Sequence, residues 1–249
     1  MNIFCNKHLT RISVCFIYNR SLSYIELSAD EVNNLLQLYE MSINASLTLS
    51  KSDKELLNSW TEQHQVQQVN VTTKYRLQMD RHKDHSFRRA DIDKKWTQCV
   101  DIYLEDIKRS EHKYYEDESK CLQTANGQDK EKRKAVDQVE KEIRKWRKSF
   151  RYLTRLCSVD HPDNEEDAKT CLVEYMEKDN YNSTLQRLML LKLDAMGQLY
   201  IELTSTIENL EECLKTNLSG YLERTRSVLD SMYRCYNGRR KEDSSNVPL

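Results

Sequence analysis

Apolar residues recur along this chain at intervals of three and four, the period of one face of an α-helix. The first run follows Ser28-Ala29-Asp30-Glu31, a helix-start signature. It puts Val32, Leu35, Leu36, Tyr39 and Ile43 on one face. Ser50-Lys51-Ser52-Asp53 then predicts a break, with Leu56, Leu57 and Trp60 beyond it. Residues 61–90 are polar, rich in Gln and then basic (Lys74, Arg76, Arg81, Lys83, Arg88, Arg89). Their weak periodicity predicts a solvated helix or linker with little core.

From Asp91 the pattern sharpens. Trp96, Val100, Tyr103, Ile107 and Tyr114 recur at helical spacing, with Cys99 and Cys121 near the same stripe. Ala125-Asn126-Gly127-Gln128 predicts a helix end and a turn. In the next helix Val136, Val139, Ile143, Trp146, Phe150, Leu153 and Cys157 form a heptad seam, with charge on nearly every other face. His161-Pro162-Asp163-Asn164 ends that helix. A short helix with an acidic start runs from Glu165 to Lys178. Asn182 to about Cys235 then runs without Pro, with Leu185, Leu188, Ala195, Leu199, Leu203, Leu210 and Cys213 on its apolar face. Unbroken, it spans roughly 80 Å.

Composition favours the same elements. Gly occurs 4 times and Pro twice in 249 residues. Such a chain has few turns, so its elements are long. No period-2 runs of β-branched residues compete. The expected fold class is all-α, with long antiparallel helices in a disulfide-stapled, coiled-coil-like bundle. A net charge of −1 supplies no global pull towards nucleic acid. No apolar run reaches the length of a membrane span. Lys7 and Arg11, ahead of the short apolar run Ile12 to Tyr18, make residues 1–25 a candidate signal or leader of atypical form.

Eight cysteines carry the most specific information. Cys5 and Cys15 lie in the leader. The other six are Cys99, Cys121, Cys157, Cys171, Cys213 and Cys235. Cys99 to Cys121 and Cys213 to Cys235 have the same separation, about six helical turns. If those two helices run antiparallel, pairing Cys99 with Cys235 sets Cys121 level with Cys213. Cys157 and Cys171 then staple the Pro162 turn. The alternative is buried free thiols, since Cys packs as a small hydrophobe. Asn19, Asn44, Asn70, Asn182 and Asn217 each begin an N-x-[ST] sequon. Chance would give roughly two. Asn44, Asn70, Asn182 and Asn217 are the candidate glycan sites.

Catalytic chemistry has little support. Among His8, His64, His82, His85, His112 and His161, only His82-Lys83-Asp84-His85 is spaced for one metal, and its surroundings look solvated. Glu116-Asp117-Glu118 reads as a solvated helix face. Expected catalytic residues, metal ligands and cofactors are therefore none. Between Lys130 and Arg155 eleven basic residues face four acidic ones, with Trp146, Phe150 and Tyr152 interleaved. This could suggest a nucleic-acid face. Trp146 and Phe150 lie on the seam, however, so a core role is expected and no nucleic-acid partner.

From Trp96 to Cys235 a scattered set of residues carries a resemblance: Cys99 with Tyr103, Tyr114-Tyr115, Cys121-Leu122 with Ala125, Leu153-Thr154-Arg155-Leu156-Cys157, Cys171, Ala195 to Leu214, and Cys235. In these the chain resembles the insect family defined by the N-terminal domain of the tsetse midgut EP protein. The resemblance implies an insect-restricted, secreted, disulfide-linked helical protein without established catalytic activity, from a family whose tsetse member is associated with the midgut and immunity. Many members carry a further cysteine where this chain has Ser149-Phe150-Arg151, and most begin with a clean signal. The expected organisation is a leader (1–25), an N-terminal helical extension (26–90), a TsetseEP-like helical domain (91–237) and a disordered tail (238–249). The expected function is a secreted, non-enzymatic protein that binds an unidentified protein or surface in an extracellular fluid such as gut or reproductive secretion, with homo-oligomers admitted. The alternative is an intracellular coiled-coil scaffold self-associating through the 136–157 seam.

Overall fold

The computed structural model describes residues 28–87 and 94–245. Residues 1–25, the candidate leader with Cys5, Cys15, His8 and Asn19, lie outside the described residues. Six helices follow one another: α1 (Ala29–Phe87), α2 (Lys94–Ile102), α3 (Leu104–Ala125), α4 (Lys130–Asp160), α5 (Glu165–Lys178) and α6 (Tyr181–Ser245). No strand occurs among the described residues. The chain is an all-α bundle stapled by disulfides.

Ring contacts fix the directions. Tyr39 meets Tyr181, Trp60 meets Tyr200 and His82 meets Tyr221, so α1 and α6 run parallel. Lys192 meets Glu140, Cys213 meets Cys121 and Cys235 meets Cys99, so α2, α3 and α4 run against α6. The three middle helices lie end to end as one interrupted strand. The bundle is thus a three-stranded rod, up, down and up, on the order of 100 Å along α6. Helix α5 doubles back at one end, beside α4 and the start of α1.

Local chemistry accounts for several ends. Ser28 and Glu31 form a reciprocal capping box at the start of α1. Asn164 caps α5, its side-chain oxygen accepting from the N–H of Glu166 and Asp167. Asn180, at φ 49°, turns the chain into α6 in the left-handed region that Asn tolerates. Four apolar clusters line the rod, around Tyr181 and Trp146, around Leu199 and Val136, around Tyr114 and Tyr221, and around Trp96 and Met232.

Several expectations are corrected. The 26–90 segment is no appendage: α1 is one unbroken helix packed along α6. Its 61–87 part has a core face on which His64, Thr72, Tyr75, Met79 and Phe87 are buried and Thr61 and Gln68 half-buried. Polar residues occupy several of those seam positions, so hydropathy alone hides the seam. Ser50 and Asp53 do not break the helix, because both face inward and bond across it. The helix end and turn expected at 125–128 are present, and the turn does not reverse the chain. Gln128 accepts from Thr206, between the levels of Met196 and Cys213 on α6. Cys99 and Cys121 sit on two helices that part at Tyr103, whose N–H donates to both Cys99 and Val100 carbonyls. The polar tail stays helical to Ser245.

Candidate functional site

The cysteines form three bridges. Cys99 joins Cys235 across α2 and α6, Cys121 joins Cys213 across α3 and α6, and Cys157 joins Cys171 across the α4–α5 turn. The Cα–Cα separations of 6.1, 5.9 and 5.8 Å suit a disulfide. These are the pairs the matched spacing selects. One interruption at Tyr103 does not spoil the register, because α2 and α3 both stay packed along α6. In each bridge the earlier cysteine is buried.

The sequons divide. Asn44, Asn70 and Asn182 are exposed on helix surfaces. Asn217 is buried, and its side-chain amide donates to the Tyr114 carbonyl at 2.9 Å. The nitrogen that would carry a glycan is therefore spent inside the core, and Asn217 is corrected from candidate glycan site to core hydrogen-bond donor.

Other sequence candidates dissolve into packing. Trp146 is buried, stacks on Tyr181 at 4.3 Å and donates to its carbonyl. The Tyr181 hydroxyl donates back to the Trp146 carbonyl at 2.9 Å. Burial pushes that hydroxyl up to about 12, partly opposed by hydrogen bonding. Five of the eleven basic residues in the α4 stretch make ion pairs with the chain's own carboxylates: Arg133 with Asp129, Lys134 with Glu131, Lys145 with Glu142, and both Arg144 and Arg147 with Glu140. Glu116 and Asp117 pair with Lys113 and Lys120, whereas Glu118 is buried and takes a two-pronged bond from Arg76. His82 packs edge-on against Tyr221, while His85 is exposed. Among the described residues no group of three or more His, Cys, Asp or Glu could hold a metal ion. No described helix is long and apolar enough to cross a membrane.

Two features escaped the sequence reading. The first is a charge network inside the α4–α5 half. Lys192, 4% exposed, lies 2.6 Å from Asp53 and 2.8 Å from Glu140. Arg147 reaches Glu140, Ser50 and the Ser46 carbonyl. Burial alone would raise the Glu140 carboxyl, but the ammonium of Lys192 and bonds from Arg144 and Ser50 outweigh it and hold the group below its ordinary value. A lysine in a run of leucines was the available signal. The second is an open groove of about 1140 Å³ between α1 and α6, walled by Leu49, Leu56 and Trp60 on one side and Leu193, Gly197 and Tyr200 on the other.

Comparison with protein-family models, with curated proteins and with solved structures finds no match. The geometry defines a disulfide-stapled three-stranded helical rod.

Proposed function

We propose that this chain is a secreted, non-enzymatic protein whose stapled rod binds a protein or surface in an extracellular fluid such as gut or reproductive secretion. The observation that carries the reading is the bridge set, which ties the middle strand to α6 at two levels and α4 to α5. Structural disulfides of this kind persist outside the reducing cytosol. The exposed sequons Asn44, Asn70 and Asn182 support the same compartment, as does the resemblance to the tsetse midgut EP family. The intracellular-scaffold reading loses its interface, because Val136, Ile143, Trp146 and Cys157 of the seam are buried within the chain.

A non-reducing peptide map of protein from its natural source tests the proposal. Three bridges, with glycan on any of Asn44, Asn70 and Asn182 and none on Asn217, are expected. Six free core thiols with bare asparagines would overturn it.

A further inference from the structure

The α1–α6 groove lies on a face with little charge. From Leu188 to Ile207 the charged residues are Lys192, Asp194 and Glu202, in a chain that is 32% charged. Of these Lys192 is buried, leaving Asp194 as the one fully exposed charge of that stretch. Large apolar side chains stand out of the same face: Leu190 is 68% exposed, Leu193 69% and Ile201 61%, with Tyr200, Leu49 and Leu56 about half exposed. At on the order of 100 Å² each, these six offer roughly 600 Å². A partner contributes about 800 Å² to a stable interface. Contiguous apolar surface of this extent marks a contact site.

Gly197 sits between the outstanding residues, four positions from both Leu193 and Ile201. A glycine in a helix interior costs about 1 kcal/mol against alanine. Nothing within this chain requires it, since a Cβ placed there meets no atom within 4 Å. A second backbone approaching closely from outside does require it.

We infer that this face is the contact between two copies of the chain, packed antiparallel about a two-fold axis near Gly197. Leu193 of each copy then lies opposite Ile201 of the other, and the paired glycines let the α6 helices close up. Knob and hole come from one stripe at equal spacing, the self-complementarity that a two-fold interface demands. A fatty acid suits the groove less well. The cation at its floor, Lys192, is already held by two carboxylates, and the groove is open along its side. Asn182 lines the far end of the same groove, about 16 Å from Leu193 along α6, so a glycan there would bound the contact at that end.

Sedimentation equilibrium and native mass spectrometry of the full chain with its bridges intact test this. The wild type is expected to dimerise in the micromolar range. Leu193→Glu with Ile201→Glu should weaken association at least tenfold, with helicity and disulfide map unchanged. Gly197→Trp, which the open space accommodates in one copy, should do the same. Val66→Glu, at an exposed apolar position outside the groove, should leave the dimer intact. A wild type that stays monomeric throughout would overturn the inference. So would a dimer indifferent to both groove variants, or a monomer carrying a small apolar molecule.

Discussion

The two halves of the rod are held by different means. In the α4–α5 half, the interior polar groups around Lys192 and Trp146 are paired, whereas the buried Nε2 of His64, beside Asp129 and Arg133, has no hydrogen-bond partner. Lys192, Asp53, Glu140 and Arg147 form one network, and Trp146 and Tyr181 exchange hydrogen bonds. Its one bridge closes a local turn, 14 residues apart. In the α2–α3 half, the buried Tyr114 and Tyr221 hydroxyls and the Asn217 side-chain oxygen have no hydrogen-bond partner in the chain. That half carries the two long-range bridges, 92 and 136 residues apart. Buried polar groups can be satisfied by partners or their cost offset by covalent closure. This rod leans on the first around Lys192 and adds the second around Tyr221.

The largest break in the comparison comes from the bridges. Cys121→Ser with Cys213→Ser opens a loop of about 90 residues and should cost about 4–5 kcal/mol. Cys157→Ser with Cys171→Ser should cost about 3 kcal/mol. Denaturant unfolding of each pair checks the ranking.

Charge comes next. Lys192→Met leaves two carboxylates beside the core and should cost about 3–5 kcal/mol. Arg76→Ala leaves Glu118 buried without its cation. Arg76 is half exposed, so water can replace part of what it gave, and about 2 kcal/mol is expected. Thermal unfolding of both variants would show whether interior charge matters more in the α4–α5 half.

Acid should separate the buried histidines from the Lys192 network. Burial, with His85 adding to it, holds His82 below its ordinary value of 6.5. A histidine with a lowered folded pKa stabilises the fold fully above its unfolded value, and that contribution goes as pH falls through the folded one. Glu140 follows the same sign from an ordinary value of 4.5. Protection from hydrogen exchange should therefore fall below about pH 6.5 around both buried histidines, His82 in the α2–α3 half and His64 beside the start of α4, whose pKa burial likewise lowers, and around Glu140 only below about pH 4.5. His82→Gln should remove the earlier step in the α2–α3 half.

The smallest effect is the sharpest. Tyr221→Phe and Tyr114→Phe remove hydroxyls without partners and should be neutral or stabilising by up to about 1 kcal/mol. Tyr181→Phe loses a bond to the Trp146 carbonyl and should cost about 1 kcal/mol.

What could be read from the sequence follows this division. The α4 seam and the α6 face are apolar at regular spacing, and they stood out. Equal cysteine spacing encoded register, which survives the interruption at Tyr103. Where interior positions are polar, as at Ser50, Asp53, Thr61 and Gln68, an inward face reads as solvent or as a break. The partners of Ser50, Asp53 and Thr61 come from distant helices, and no local pattern carries that information. Asn217 misled for the same reason: its motif is local, but its bond to Tyr114 is not.

The bridges are nested, and nesting has a consequence for how the rod meets any protease. The Cys99–Cys235 link encloses everything between, including the Gly127 turn and the Pro162 turn. A single cut anywhere inside that span leaves both fragments on one covalent body. Nicked molecules would keep their mass until reduced, and a surface shared by α1 and α6 could outlast the loss of backbone continuity.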